Sequence, residues 1–144
     1  MAPLEMKSVN SVSRGKAEVQ TVPLPKIADD RILVRVTAVG LNPTDWKHLD
    51  FMPVFGLRSG CDYSGVVEEV GPKVTKAFKK GDRITGVTHG SNMSNLTDGA
   101  FAEYIAVKGD LQIAIPDNVR DEEAATLGVG VSTVVRMLHR AEVP

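Results

Sequence analysis

Cysteine is nearly absent from the 144 residues: Cys61 is the single one. A lone cysteine excludes an intramolecular disulfide framework and a cysteine-rich zinc lobe. Excess charge of either sign is missing as well. Lys and Arg number 17 against 18 Asp and Glu, a net charge of −1. That balance leaves no electrostatic footprint for nucleic acid or for an anionic membrane. No apolar run approaches the roughly 18 to 20 residues that a membrane-spanning helix needs. Met1 to Asn10 lacks a basic stretch followed by an apolar one. No secretory signal is therefore expected, and a cytoplasmic location is. Internal repeats and low-complexity segments are lacking too. With 42% hydrophobic and 24% charged residues, the composition suits an ordinary globular domain rather than long disorder. The length fits one domain, or one domain and a fragment of another.

What the sequence does contain is a series of short strand signals. Arg31 to Leu41 is the clearest, with Ile32, Val34, Val36 and Ala38 alternating with Leu33, Arg35, Thr37 and Val39. That period of two puts one face on a core. Tyr63 to Val70 is a second strand, closed by Gly71-Pro72, and Asp82 to Val87 a third, opened by Gly81. Phe101 to Val107 and Leu111 to Ile115 read as two more, joined in hairpin fashion through Lys108-Gly109-Asp110. Ala17 to Val22 is a weaker signal. Helical signals are few. Asn42 or Thr44 caps a short turn through Leu49, with Pro43 near the first helical position. Asp121 to Leu138 is the one long candidate, with Asp121 as N-cap and Glu122 and Glu123 in the first turn. Gly128 and Gly130 interrupt it, so a break and a second helix from near Val131 are expected. Strands first and helices last favour an antiparallel barrel or sandwich with appended helices over a parallel sheet.

Two loops stand out. Thr88 to Gly99 is polar and reads as exposed. Its sequons, Asn92-Met93-Ser94 and Asn95-Leu96-Thr97, matter only in a secreted protein and otherwise belong to an ordinary polar loop. Asp50 to Gly60 instead carries Phe51, Met52, Val54, Phe55 and Leu57, so it either packs on the core or lines a pocket.

Gly128-Val129-Gly130-Val131-Ser132-Thr133 looks like the opening of a dinucleotide fingerprint, but its context fails. Thr133 stands where Gly or Ala belongs, the preceding segment reads as helix, and no acidic residue follows at the right distance. A helix break exposing the Ser132 and Thr133 hydroxyls is the better reading. Cys61, Asp62, His48 and His89 are metal-ligand types without short-range ligand spacing, so no metal is expected. Asn42-Pro43-Thr44-Asp45-Trp46-Lys47 follows a strand and holds a turn, an aromatic and a cation within six residues. One reading is a site, with Lys47 placing its charge on a phosphate, a ribose hydroxyl or a developing enolate. The other is a capped helical turn with Trp46 packed inward and Lys47 solvated.

In order along the chain come Val34-Arg35-Val36, Asn42 to Lys47, Gly60-Cys61-Asp62-Tyr63-Ser64-Gly65-Val66-Val67 and Val70-Gly71. Lys80-Gly81-Asp82-Arg83-Ile84, Gly99 to Tyr104, Ile115-Pro116 and Glu122-Glu123-Ala124-Ala125 follow. This series resembles the N-terminal, GroES-like domain of the medium-chain dehydrogenase/reductases, and it covers the chain from about Leu24 to Val134. The resemblance implies a mainly β fold: a GroES-like twisted antiparallel barrel, a short helix after the main strand and one or two C-terminal helices. Residues 1–23 would add one or two strands, 24–120 the barrel core, and 121–144 a helical segment leading toward a Rossmann domain.

The departures point to the zinc-independent branch. Zinc-dependent alcohol dehydrogenases carry Cys where this chain has Asn42, and His-Glu where it has Cys61-Asp62. Asn-Pro-Thr-Asp-Trp-Lys and Gly-Cys-Asp-Tyr-Ser-Gly most resemble the trans-acting enoyl reductases of fungal polyketide pathways. The resemblance implies hydride transfer from NADPH to a conjugated enone or enoyl thioester, without zinc. It assigns Thr44, Asp45, Trp46 and Lys47 to the cofactor, Lys47 to a catalytic polar role, and Thr133 to the substrate. The implied partners are a small-molecule or acyl-carrier-bound enoyl substrate and a polyketide synthase. Members of that family carry their nucleotide-binding glycines in a Rossmann domain beyond this one. A truncated, by itself inactive oxidoreductase is therefore expected, self-associating through the uncovered inter-domain face. A binding or regulatory module that has lost catalysis is the alternative.

Overall fold

In the computed structural model, which describes residues 3–51 and 54–141, β3 (Arg31–Gly40) is the strand around which the rest is built. It pairs antiparallel with β4 (Asp62–Val70) on one side and β6 (Tyr104–Lys108) on the other. The sheet continues through β5 (Arg83–Val87) to β7 (Ile113–Ala114), giving the order β6-β3-β4-β5-β7. A second sheet holds β1 (Glu5–Ser13) and β2 (Lys16–Pro23). Bridges from Ser8 to Ala102 and from Asn10 to Arg58 tie β1 to the segments that lead into β6 and β4. The β3–β4 register shifts between Leu33 and Val34 and again between Val36 and Ala38. Such irregularities bend a strand and increase its twist, which curls the sheet toward a barrel.

The core gathers Ile32, Val34, Tyr63, Val67, Ile84, Ile105 and Val107. From Val34 onward β3 alternates buried and exposed positions, while Leu33 is buried as well, so both faces are covered at its start. Tyr63 donates its hydroxyl to Gln112 Oε1 at 2.6 Å. Gln112 reaches that position because residue 86 is glycine: a Cβ there would land on Gln112 Oε1.

Two expectations about the C-terminal half are corrected. β6 and β7 form no hairpin; they lie at opposite edges of the five-stranded sheet. The Gly109–Leu111 segment is a 3-10 turn. Gly109 is packed where a Cβ would meet Val74 and Ile32, and its N–H donates to the Asp30 carbonyl. Asp110 accepts the N–H groups of Thr75 and Lys76, so the turn is held to other loops and the chain crosses to β5. β6 also starts later than Phe101, because the N–H groups of Ala100, Phe101 and Glu103 bond Gly60, Ser59 and Lys7.

The helical expectations hold in outline. α1 (Pro43–Phe51) begins at Pro43. The long C-terminal candidate divides into α2 (Asp121–Ala124) and α3 (Gly128–Arg140). Asp121 is not the N-cap; Arg120 occupies that position. The Asp121 carboxylate is taken by Arg83, at 2.6 Å from Nη2 and 2.9 Å from Nε. Glu123 instead accepts the Arg120 N–H at 3.0 Å. α3 starts at Gly128 rather than near Val131.

The 88–99 loop is organised rather than freely exposed. Asp98 accepts the side-chain amides of Asn92 and Asn95 and the Arg31 guanidinium. Both sequon asparagines also accept bonds from the residues two further on, so they form local turns. In the apolar loop Leu57 is buried, whereas Phe51, Val54 and Phe55 are exposed. Met52 lies outside the described residues. Among those residues no helix is long and apolar enough to cross a membrane.

Candidate functional site

β3 delivers the chain at Gly40 to a turn that opens α1. Pro43 fixes the backbone at the first helical position, where its missing N–H costs nothing. Asp45, third in the helix, is buried, and its Oδ2 accepts the Asn42 N–H at 2.7 Å. A carboxylate in the first turn also suits the helix dipole. Asn42 stands at the N-cap position expected of it, its carbonyl accepting the Asp45 N–H at 3.0 Å, while the side-chain bond at this helix start is made by Asp45. Thr44 Oγ1 lies 3.3 Å from His48 Nε2, one turn on.

Trp46 does not pack inward as one reading of the motif expected; it is 53% exposed. Lys47 is exposed too, with its ammonium 5.6 Å from the Trp46 ring centroid, within cation–π range. The six-residue motif therefore divides: Asn42 and Asp45 face the protein, while Trp46 and Lys47 face outward.

Inside, Asn42, Asp45, Cys61 and Asp62 come together. Asn42 Nδ2 donates to Asp62 Oδ2 at 3.0 Å. The Val129 N–H, at the start of α3, donates to Asp62 Oδ1 at 2.8 Å. Burial pushes the Asp62 carboxyl above its ordinary range; these two bonds oppose that push, and the charge on Asp45 adds to it. The Cys61 thiol is pushed up to about 11, chiefly by burial, with Asp45 and Asp62 adding to the shift and a bond from the Gly90 backbone opposing it.

Two clefts flank this junction. Thr44, His48, Cys61, Thr88 and His89 line one of about 610 Å³. The other, about 590 Å³ and apolar, lies among Val87, Leu111, Ile113, Leu127 and Val131. Thr133 is exposed on α3, four residues beyond Val129 and so on the same helix face. The Ser132 hydroxyl is not free as expected: it donates to the Gly128 carbonyl at 2.6 Å. The failed fingerprint, Gly128 to Thr133, forms the first turns of α3 and no phosphate-binding loop.

Asn42 is a neutral amide engaged with Asp62, and burial pushes the neighbouring Cys61 thiol up. Among the described residues no three His, Cys, Asp or Glu side chains gather as a metal site. The link from Asp62 to α3 was missed in the sequence. Its one signal is a carboxylate at the first position of a strand whose next residues, Tyr63 to Val67, are mostly buried.

Residues 28–117 match the family described as the alcohol dehydrogenase GroES-like domain. The chain is 55% identical over 118 residues to trans-enoyl reductase TOXD of Cochliobolus carbonum, covering 82% of this chain and 40% of that protein. It is 50% identical over 136 residues to trans-enoyl reductase resD of Aspergillus sclerotiorum, covering 94% of this chain and 38% of that protein. Among solved structures, the quinone oxidoreductase from Coxiella burnetii shares the fold with a TM-score of 0.81 at 26% identity. That match covers 96% of this chain and 46% of the other. The chain spans about two fifths of the length of these curated relatives.

Proposed function

Because the chain belongs to the alcohol dehydrogenase GroES-like domain family, we propose that it forms the acceptor-binding side of an NADPH-dependent, zinc-independent oxidoreductase acting on a conjugated enone or enoyl thioester. The observation that carries this reading is the outward pair Trp46 and Lys47 on α1, in a chain half-identical to trans-enoyl reductases. NADPH, when bound, supplies the hydride that reaches the β-carbon of the acceptor. The chain's own task is to orient that acceptor and stabilise the negative charge that develops on its oxygen. Lys47 offers an exposed ammonium for that charge or for a ribose hydroxyl. Thr133 offers a hydroxyl from α3. Thr44 lines the cleft edge, and Asp45 holds the N-terminus of α1 in place beneath them. Solvent supplies the proton for the α-carbon.

An acyl-carrier-bound thioester is the proposed form of the acceptor, and a polyketide synthase its proposed source. The exposed Phe51, at the end of α1, and Val54 and Phe55 beyond it suit an acyl chain. The nucleotide site is assigned to the part of such enzymes that this chain does not span, because Gly128 to Thr133 builds no phosphate cradle.

The test uses Trp46, the only tryptophan. NADPH added to the purified, folded chain is expected to leave Trp46 emission unchanged. The same residues exchanged for the matching segment of TOXD should restore a saturable response. In that chimera Lys47→Ala should slow hydride transfer by about 10- to 100-fold with the fold intact. Saturable quenching by the chain alone would move the nucleotide site into these residues. Unchanged kinetics would remove Lys47 from the site.

α3 gives a second expectation. From Gly130 to Arg140 every position is exposed, including Val131, Val134, Val135 and Leu138. In the relatives the additional length is available to cover such a face; in the isolated chain a second copy is. Sedimentation velocity over a micromolar range should show association that Val131→Lys with Val135→Lys abolishes. A chain that stays monomeric throughout would remove this face as an association surface.

A further inference from the structure

Asp62 is used by neither reading of the motif, yet its carboxylate bonds both α3 and Asn42, the residue before α1. It is 1% exposed at the start of β4. One carboxylate oxygen takes the Asn42 side chain, at the head of α1; the other takes the Val129 N–H, in the first turn of α3. We infer that Asp62 is a positioning residue: its two oxygens fix α3, which carries Thr133, at a set distance and angle from α1, which carries Lys47. The reading of Thr133 and Lys47 as site residues rests on the function proposed above; the geometry of the clamp does not.

Three further features support the clamp. Gly128 is glycine where a Cβ would come within 2.5 Å of Asp62 Oδ1 and 2.8 Å of Val87 Cγ2, so α3 is seated directly on the carboxylate. Beyond Val129 no position is buried: among the described residues, every one from Gly130 onward is exposed. The approach before it is fixed separately, by the Thr85 hydroxyl donating to the Ala124 carbonyl at 2.9 Å. Val129 therefore decides where α3 points after the Ala124 anchor. A carboxylate suits this place because both of its neighbours are donors, and an ionised carboxylate is acceptor-only. The one charged group turned toward it is Asp45, from α1.

The test measures a distance in the 144-residue chain, with no ligand and no turnover. Thr133→Cys gives a labelling site that the buried Cys61 does not compete for. Energy transfer from Trp46 to an acceptor dye at position 133 then reports the α1–α3 spacing. The unaltered clamp should give a single narrow distance distribution. Asp62→Ala should broaden it and speed exchange of the Val131 amide, which bonds the Leu127 carbonyl, by about ten-fold or more. Asp62→Asn should largely restore both, because the Asn42 amide can flip to accept from the substituted amide, whose own oxygen keeps the Val129 N–H. A simple loss of packing would not be rescued in that way. Val129→Pro, in the first turn of α3, removes the donor and sets its ring where the N–H met Asp62 Oδ1; it breaks the contact with the Asp62 side chain retained and should reproduce the broadening. It carries the test if Asp62→Ala does not fold. A distribution that stays narrow in Val129→Pro, or in a folded Asp62→Ala, overturns the inference. Neither result depends on NADPH, so failure of the clamp and failure of the proposed function are separable.

Discussion

Ile84→Ala is expected to cost the chain about 3 to 5 kcal/mol of stability, the upper part of the range for such truncations. Ile84, the second residue of β5, is fully buried. Its cross-strand partners are Gly65 on β4 and Ala114 on β7. Partners across a sheet share a face, and here both are among the smallest residues. Neither can swing into the space that the lost atoms leave. Gly65 itself is fixed, since a Cβ there would meet the Arg35 carbonyl and Val34. The cavity therefore persists, and persistence is what makes a truncation expensive. Ile113→Ala, on the neighbouring edge strand but 63% exposed, should change stability by no more than about 0.5 kcal/mol. Urea unfolding of the two variants checks the contrast, with the slope unchanged and the midpoint moved only for Ile84→Ala. Equal shifts would mean that the buried and exposed edges of this sheet have been misassigned.

The same contrast marks how much could be read from the residues. β3 is legible in its alternation, and β4 and β5 in β-branched residues bounded by glycine, local patterns that the sheet preserves. β7 is not. Leu111 to Ile115 is apolar, but only Ile113 and Ala114 pair, and with β5 rather than β6. That choice is made by Asp110, whose carboxylate takes two N–H groups some 35 residues away, and no local pattern announces it. α3 is a similar case. Its glycines read as a break, yet Gly128 opens the helix because Asp62 must approach it closely. At the site, residue types and spacing located α1 and its outward Lys47. They did not separate Asp45, which turns inward to hold the Asn42 N–H, from its neighbour Trp46, which turns out. Helical position alone places the two side by side; burial against Cys61 and Asp62 distinguishes them.

Cys61 offers the sharpest chemical test of that inward cluster. At about pH 8 its alkylation by iodoacetamide should be at least about 100-fold slower than that of a cysteine peptide. The thiolate is the nucleophile, and the thiol is pushed up to about 11 from an ordinary 9.0. Two units reduce the thiolate fraction about 100-fold, and burial adds hindrance. Desolvation is the main cause, with the negative charges of Asp45 and Asp62 acting in the same direction. Asp45→Asn should therefore speed the reaction in the folded chain, while unfolding in urea should raise the rate to that of the peptide. The same shift sets a pH dependence. The folded thiol keeps its proton above pH 9.0, where the unfolded thiol loses it. The unfolded state then binds fewer protons, so stability falls as pH rises from about 9 toward about 11 and is unaffected by this group below. Alkylation as fast as the peptide's would place the thiol outside the cluster.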